Sequence, residues 1–313
     1  MIDRKASRET GRAALSSPSL PLSRPHTHSN VPLTQRAPAK INLGLHVLRK
    51  RPDGYHDIET VLHRIDWADT VSAAPSKTLS LTCSDPALPT DDDNLCLQAA
   101  HRLASAFDVT AGAELHLEKH VPYGAGLGSG SSDAAATLRL LARLWDLDAS
   151  PNQLRDLGSA IGADVPFFLM DSPAAYATGR GATLSPLSKD GQPYRLPFPL
   201  LVAVPPVEVS TPWSYAQISP NDGPRPDLRD VVCTDNPAQW RSELTNDFEA
   251  LVAEAESSVA TLCGALRDTD AAYVSLSGSG GAVYGVYETL EAARKAREAI
   301  QSLEAHVHLM PPR

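Results

Sequence analysis

The sequence predicts an α+β (mixed α/β) protein in two parts. Strand-like and helix-like segments are interspersed without a regular β-α-β order. Two glycine-rich turns, at 124–130 and 278–281, each follow a strand-like run. Prolines cluster between 186 and 226 and mark a boundary. Residues 37–195 and 196–313 are therefore expected as two domains, preceded by an unstructured extension over 1–36.

Ordered chain is expected from Ala37. AKINLGLHVL (39–48) and IETVLHRID (58–66) read as strands joined through Asp53-Gly54, a hairpin signal. TVSAA (70–74) and LSLTC (79–83) read as two further short strands. In 91–107, Leu95, Ala99, Leu103 and Phe107 recur at helical spacing, with Asp93 or Asn94 as cap. Residues 113–119 alternate, with Ala113, Leu115 and Leu117 on one face. A helix is expected from near Ser131, where Ala134, Leu138, Leu141 and Trp145 share a face. Another runs through 150–169, opened by Ser150 and Pro151 and ending near Gly158 or Gly162. Residues 174–187 read as strand-turn-strand and 199–206 as a strand, while 216–242 is polar and unpatterned. Helices are expected at 247–255, 258–267 and 288–302, and a strand-turn-strand at 273–287.

Composition narrows the function. Of 313 residues 42% are hydrophobic and 5% aromatic, so aliphatic side chains build the core. No run approaches the length of a membrane span. The net charge is −9, with +4 on residues 1–36 and −13 on the remainder, which argues against a nucleic-acid partner. The extension has no apolar stretch of a secretory signal. The four cysteines, Cys83, Cys96, Cys233 and Cys263, show no paired or zinc-like spacing, and a reducing, cytoplasmic setting is expected. No dimer seam stands out, so a monomer or weak homodimer is expected.

The stretch VPYGAGLGSGSSDAAA (121–136) carries the chemistry. It has no lysine, which excludes the P-loop pattern. Glycines at i and i+2 are followed at i+5 by Ser129, Ser131 or Asp133, which excludes the dinucleotide fingerprint and the protein-kinase loop. Neither Ser129 nor Ser131 sits in a hydrolase elbow. What remains is a cradle of backbone N–H groups leading into a helix N-terminus, with serine hydroxyls as further donors. On composition alone a flexible turn before a capped helix is the alternative reading. The second turn, LSGSGGAVYG (276–285), suggests two walls of one nucleotide site.

PAKINLGL (38–45), PYGAGLGSGSSDA (122–134) and LSGSGGAVYG (276–285) together resemble the GHMP kinase superfamily of small-molecule kinases, in order and spacing from residue 37 onward. RPDGYHDIETVLHRID (51–66), DDDNL (91–95), GADVPFFL (162–169) and TNDFE (245–249) are similar to one family within it, the 4-diphosphocytidyl-2-C-methyl-D-erythritol kinases of the non-mevalonate isoprenoid pathway. That family's loop has glycines where Ala125 and Ser129 stand here.

The resemblance implies a two-domain fold with the active site in the interdomain cleft. The implied reaction moves the γ-phosphoryl of ATP to a tertiary hydroxyl of a cytidyl-polyol, with Mg²⁺ held mainly by phosphates and water. It implies Lys40 and Asp164 as the catalytic pair. ATP would be met by Asn94, by Pro122, Tyr123, Gly124, Ala125, Gly126, Leu127, Gly128, Ser129, Gly130, Ser131 and Ser132, and by Ser277, Gly278, Ser279 and Gly280. Asn42, Tyr55, His56, Thr211 and Pro212 would face the polyol substrate, Tyr55 and His56 stacking on and hydrogen-bonding the cytosine. Ser132 or Asp164 could add a metal ligand. A mevalonate- or homoserine-type kinase and a non-catalytic nucleotide-binding protein on the same fold are the alternatives; PDGYH with GADVP argues against the first, and the Lys40–Asp164 pair against the second.

Overall fold

A computed structural model describes residues 32–312. The first strand, β1 (Leu33–Lys50), begins before the expected start. Residues 33–36, expected to be unstructured, pair with Thr70–Ala73. The rest of the expected extension, 1–31, lies outside the described residues. After a tip at Asp53-Gly54, where Gly54 takes φ +87°, the chain returns as β2 (His56–Ser76). The two strands pair antiparallel from Lys50↔His56 to Leu33↔Ala73. β2 absorbs 70–74, expected as a separate strand: period-two burial runs unbroken from Ile65 to Ala73. A buried aspartate, Asp69, occupies one inward position and hides that continuity from hydropathy.

Next come β3 (Ser80–Cys83), α1 (Leu95–Ala106) and β4 (Gly112–Glu118). Asn94 caps α1 by accepting from Cys96 N at 2.9 Å. α2 (Ser129–Leu144) starts two residues earlier than expected, with left-handed Gly128 at its cap. No side chain caps it. α3 (Pro151–Ser159) opens with a reciprocal Ser150–Gln153 capping box. α4 (Val165–Phe168) follows Asp164. Pro166 sits in its first turn, where a missing N–H costs nothing. β5 (Ala174–Gly179), β6 (Thr183–Pro186) and the small ladder β7 (Ser188–Lys189) with β8 (Gln192–Pro193) complete this half. The main sheet has the order β3-β4-β2-β5-β6, with β1 also on β2.

The second half runs β9 (Leu200–Val204), α5 (Thr211–Gln217), α6 (Leu228–Cys233), α7 (Pro237–Glu243), α8 (Phe248–Ala255), α9 (Ser257–Arg267), β10 (Tyr273–Leu276), β11 (Val283–Val286), α10 (Leu290–Ala299) and β12 (His306–Met310). The last four strands to form a sheet are ordered β10-β11-β9-β12, all antiparallel. The stretch read as unpatterned holds α6 and α7, each too short to show periodicity but capped by a side chain, Asp227 or Asn236. β12 was not expected, because His306 and His308 break its apolar pattern.

α1 and α2 cover the main sheet through Leu103, Leu138 and Leu141 against Leu115 and Leu117. Between the sheets, Ile41, Leu43 and Ile65 of β1–β2 meet Val202, Tyr284 and Val286. Val252, Leu262 and Ala293 cover the other face of the second sheet. β1 thus lies between two cores, and its polar residues are carried to the seam.

Candidate active site

The loop 122–128 leaves Gly124, Gly126 and Gly128 at φ +70°, +82° and +66°. Gly126 has no room for more: a Cβ there would overlap the Ser277 carbonyl oxygen. The two glycine turns are in direct backbone contact. Ala282 N donates to Ala125 O at 2.9 Å, and Ser277 Oγ donates to Gly126 O at 3.0 Å. Ala125 and Leu127 turn their side chains into the core, so only their backbone can reach a ligand. Ser129 and Ser132 are buried at the start of α2, and Ser132 Oγ donates to Pro38 O at 2.7 Å. Ser131 is half-buried beside Gly162. The free amides of the first turn of α2 and its positive dipole end point out of this loop.

Lys40 enters from β1 and is 4% exposed. Its Nζ donates to Asn42 Oδ1 at 2.7 Å and to Gly126 O at 2.8 Å. Asp164 Oδ2 lies 3.7 Å away, an ion contact longer than a hydrogen bond. Burial pushes the Lys40 pKa below its ordinary value, and the Asp164 charge opposes that shift. The aspartate is the more open partner, its side chain 32% exposed. It occupies the cap position of α4 but makes no capping bond, which leaves its carboxylate available.

Asn42 is buried, with Nδ2 donating to Thr60 Oγ1 at 2.9 Å. Both ends of its side chain are engaged internally, and its role in this structure is to seat Lys40. Ser277 is also buried. Ser279 Oγ donates to Thr211 Oγ1 at 3.2 Å, and Ser214 Oγ donates to Ser279 O at 3.1 Å, so α5 is fastened to the second glycine turn. Ser210 caps α5 and Pro212 sits in its first turn.

At the hairpin end, Tyr55 is 55% exposed while His56 is buried. His56 stacks on Tyr215 of α5 with centroids 5.3 Å apart. Burial, and secondarily Lys50, lowers the His56 pKa, which keeps its ring neutral near pH 7. Tyr215 was missed in the sequence, although its spacing four residues after Thr211 puts it on the same helical face. Burial and then the Asp164 charge push its pKa up to about 12, so it stays protonated. Gly124 and Gly130 mark the other side of the loop. There a cleft of about 540 Å³ is lined by Asn94, Leu95, Pro122, Tyr123, Pro206 and Glu208.

A charged cluster under the loop was also missed. Lys119 Nζ donates to Asp69 at 2.5 Å and to Asp133 at 2.9 Å. Asp69 also accepts from His120 N and Val121 N at 2.6 and 2.8 Å. Burial raises the Asp133 pKa to about 7, with Lys119 opposing and Asp69 adding to the shift. Burial away from water, with a second carboxylate close by, outweighs the ammonium and explains that direction. The cluster ties β2, the end of β4 and the start of α2 together. Its only sequence signal is an aspartate among small residues after the glycines.

Among the described residues, no group of three His, Cys, Asp or Glu side chains is placed to hold a metal ion. A magnesium ion held chiefly by phosphate and water needs only one or two protein oxygens. Of the two expected ligands, the partly exposed Asp164 carboxylate suits that demand, whereas Ser132 is buried and its hydroxyl donates to Pro38 O. No helix among the described residues is long and apolar enough to cross a membrane.

Residues 94–172 match the GHMP kinases N terminal domain, and residues 229–305 match the GHMP kinases C terminal domain. With this fold and site, the chain falls among the GHMP kinases. It is 68% identical over 281 residues to 4-diphosphocytidyl-2-C-methyl-D-erythritol kinase of Salinibacter ruber, covering 90% of this chain and 99% of that protein. The chain belongs to the 4-diphosphocytidyl-2-C-methyl-D-erythritol kinase family. The protein of that name from Chlorobium phaeobacteroides is 41% identical, with 90% and 95% covered. A crystal structure of 4-(cytidine 5'-diphospho)-2C-methyl-D-erythritol kinase aligns at TM-score 0.73 and 33% identity, covering 90% of this chain and all of that one. Homoserine kinase from Cytophaga hutchinsonii aligns at TM-score 0.65 and 16% identity over 92% of this chain and 96% of that one, a likeness of fold alone.

Proposed function

We propose that this protein is an ATP-dependent kinase that phosphorylates the tertiary 2-position hydroxyl of 4-diphosphocytidyl-2-C-methyl-D-erythritol. The 68% identity to an enzyme of that name supports the substrate, and one geometric observation supports the chemistry. Lys40 Nζ joins Gly126 O of the loop to Asn42 and to Asp164, so the catalytic pair and the phosphate cradle are one structure.

In this reading the amides of 124–132 hold the ATP phosphates, and Asn94, Tyr123 and Glu208 line the cleft that takes the nucleoside. Lys40 stands beside the Asp164 carboxylate, its Nζ 3.7 Å from Oδ2. Asp164 orients the hydroxyl and accepts its proton as the new P–O bond forms and the bond to the ADP oxygen breaks. A loose transition state asks little more of a base, so positioning carries most of the rate. Mg²⁺ would supply neutralisation of charge on the phosphates, with the partly exposed Asp164 carboxylate as the group that would hold it. Tyr55, His56 and Tyr215 form the aromatic end for cytosine, and α5, through Thr211 and Pro212, forms the wall behind it. We assign 37–195 and 196–313 to two domains that meet at this site, and we expect a cytoplasmic monomer or weak homodimer.

The test is phosphorylation of the cytidyl substrate, mevalonate and homoserine with ATP and Mg²⁺, using the intact enzyme and its Lys40→Ala and Asp164→Ala variants. Turnover is expected with the cytidyl substrate alone. Turnover with mevalonate or homoserine instead sinks the substrate, and full activity in both variants sinks the catalytic pair.

A further inference from the structure

Arg180 has no role in the site described so far. It is exposed on the turn between β5 and β6, flanked by Gly179 and Gly181 at φ +65° and +86°. The β2–β5 register pairs Ile58 with Gly179, which brings that turn to the base of the β1–β2 hairpin. There the Arg180 guanidinium carbon lies 3.5 Å from the centroid of the Tyr55 ring. A planar cation at that distance is in stacking contact with one ring face. Tyr55 is nevertheless 55% exposed, so the opposite face is open. The hairpin tip is braced from below as well. Tyr55 N donates to Asp53 Oδ1 at 3.2 Å, and Arg51 Nε donates to both Asp53 oxygens at 3.1 and 3.2 Å.

We propose that Arg180 is a positioning residue for the cytidyl end of the substrate: it backs the Tyr55 ring so that the open face is a fixed platform for the pyrimidine. The inference rests on the reading that Tyr55 meets the base. An unbacked tyrosine at a hairpin tip samples several rotamers and must be ordered when the base stacks on it. Backing orders it beforehand and costs the ring none of its open surface. Arginine suits this better than lysine, because its flat guanidinium covers the ring and an ammonium does not.

The experiment is a double-mutant cycle on steady-state kinetics with the full chain. Arg180→Ala is expected to raise KM for the cytidyl substrate ~2- to 5-fold, the range of an exposed cation–π contact. KM for ATP and kcat should not move, which separates the effect from a general loss of structure. Arg180→Lys should recover part of the loss. In a Tyr55→Ala background, Arg180→Ala should add nothing. An Arg180 effect that persists without Tyr55 means direct contact with substrate and overturns the inference. So does an Arg180→Ala variant with unchanged KM when Tyr55→Ala raises it. Unchanged KM in Tyr55→Ala overturns the Tyr55 reading, and the inference with it.

Discussion

Gly126 and Gly130 lie four residues apart and differ in what they tolerate. Alanine at Gly126 must take φ +82° and overlap Ser277, so a loss of about 2 kcal/mol or more is expected with a raised KM for ATP. Alanine at Gly130 meets only Leu95 and Tyr123 at 3.6 Å, so thermal melting should show unchanged or slightly raised stability. Lys40 gives a second prediction. Burial lowers its pKa and Asp164 holds it up, so Asp164→Asn should move the Lys40 titration to still lower pH. Nitrogen NMR of the side chain reads this; a shift upward contradicts the arrangement. Lys40 was singled out through the resemblance to the kinase family, because a lysine among apolar strand residues can equally reach the surface along its aliphatic stem. The resemblance offered Asn42 as a substrate-facing residue and not as the partner of that lysine, since a β-strand sends residues 40 and 42 to the same face without saying what lies there.

At the scale of elements, caps were the readable part and buried charge the unreadable part. Ser150 and Gln153 announce α3, and Ser150→Ala should cost about 1 kcal/mol in denaturant melts without altering either KM. Asp69, Lys119 and Asp133 were not readable, because hydropathy scores each as a surface residue while one ammonium pairs with both carboxylates inside. Their pairing carries a pH signature. With its folded pKa above its unfolded one, Asp133 holds a proton in the folded state that the unfolded chain has released. Its contribution therefore falls as pH rises from the ordinary carboxylate range to about 7 and is flat above. Asp133→Asn should flatten that slope in chemical denaturation at stepped pH; an unchanged slope places the titration elsewhere. β1 adds a test of its boundary. A chain beginning at residue 37 loses the Leu33–Arg36 pairs with β2 and should melt below one beginning at 32.

Over the whole molecule, the mixed α/β class followed from interspersed periods, whereas the backbone contact between the two glycine turns is a tertiary fact that composition only suggested. The second sheet was half visible: β9, β10 and β11 are apolar runs, whereas β12 is stitched in through His308, which stacks on Trp67 at 5.1 Å. No local pattern encodes a contact between residues so far apart. Because the loop and the second glycine turn touch, nucleotide bound on the loop should stabilise both halves at once. At a hundredfold excess over Kd the gain is expected to be about 2.7 kcal/mol. Hydrogen exchange should show added protection in 273–286 as well as in 122–132. Protection confined to 122–132 would mean that the turns are not coupled.

The contact between Gly126 and Ser277 also fixes when the site comes into being during synthesis. Lys40, the loop and Asp164 have all left the ribosome long before the turn that seals them. Ser277 is 151 residues behind Gly126, so a growing chain carries an unfinished cradle through the making of its entire second half. Closing so long a loop is slow relative to local hairpin and helix formation. With ATP on this loop as proposed, the nucleotide would have no completed site on a nascent chain, and its stabilising effect would be withheld until the last sheet assembles. ATP binding is in this sense a certificate of finished folding.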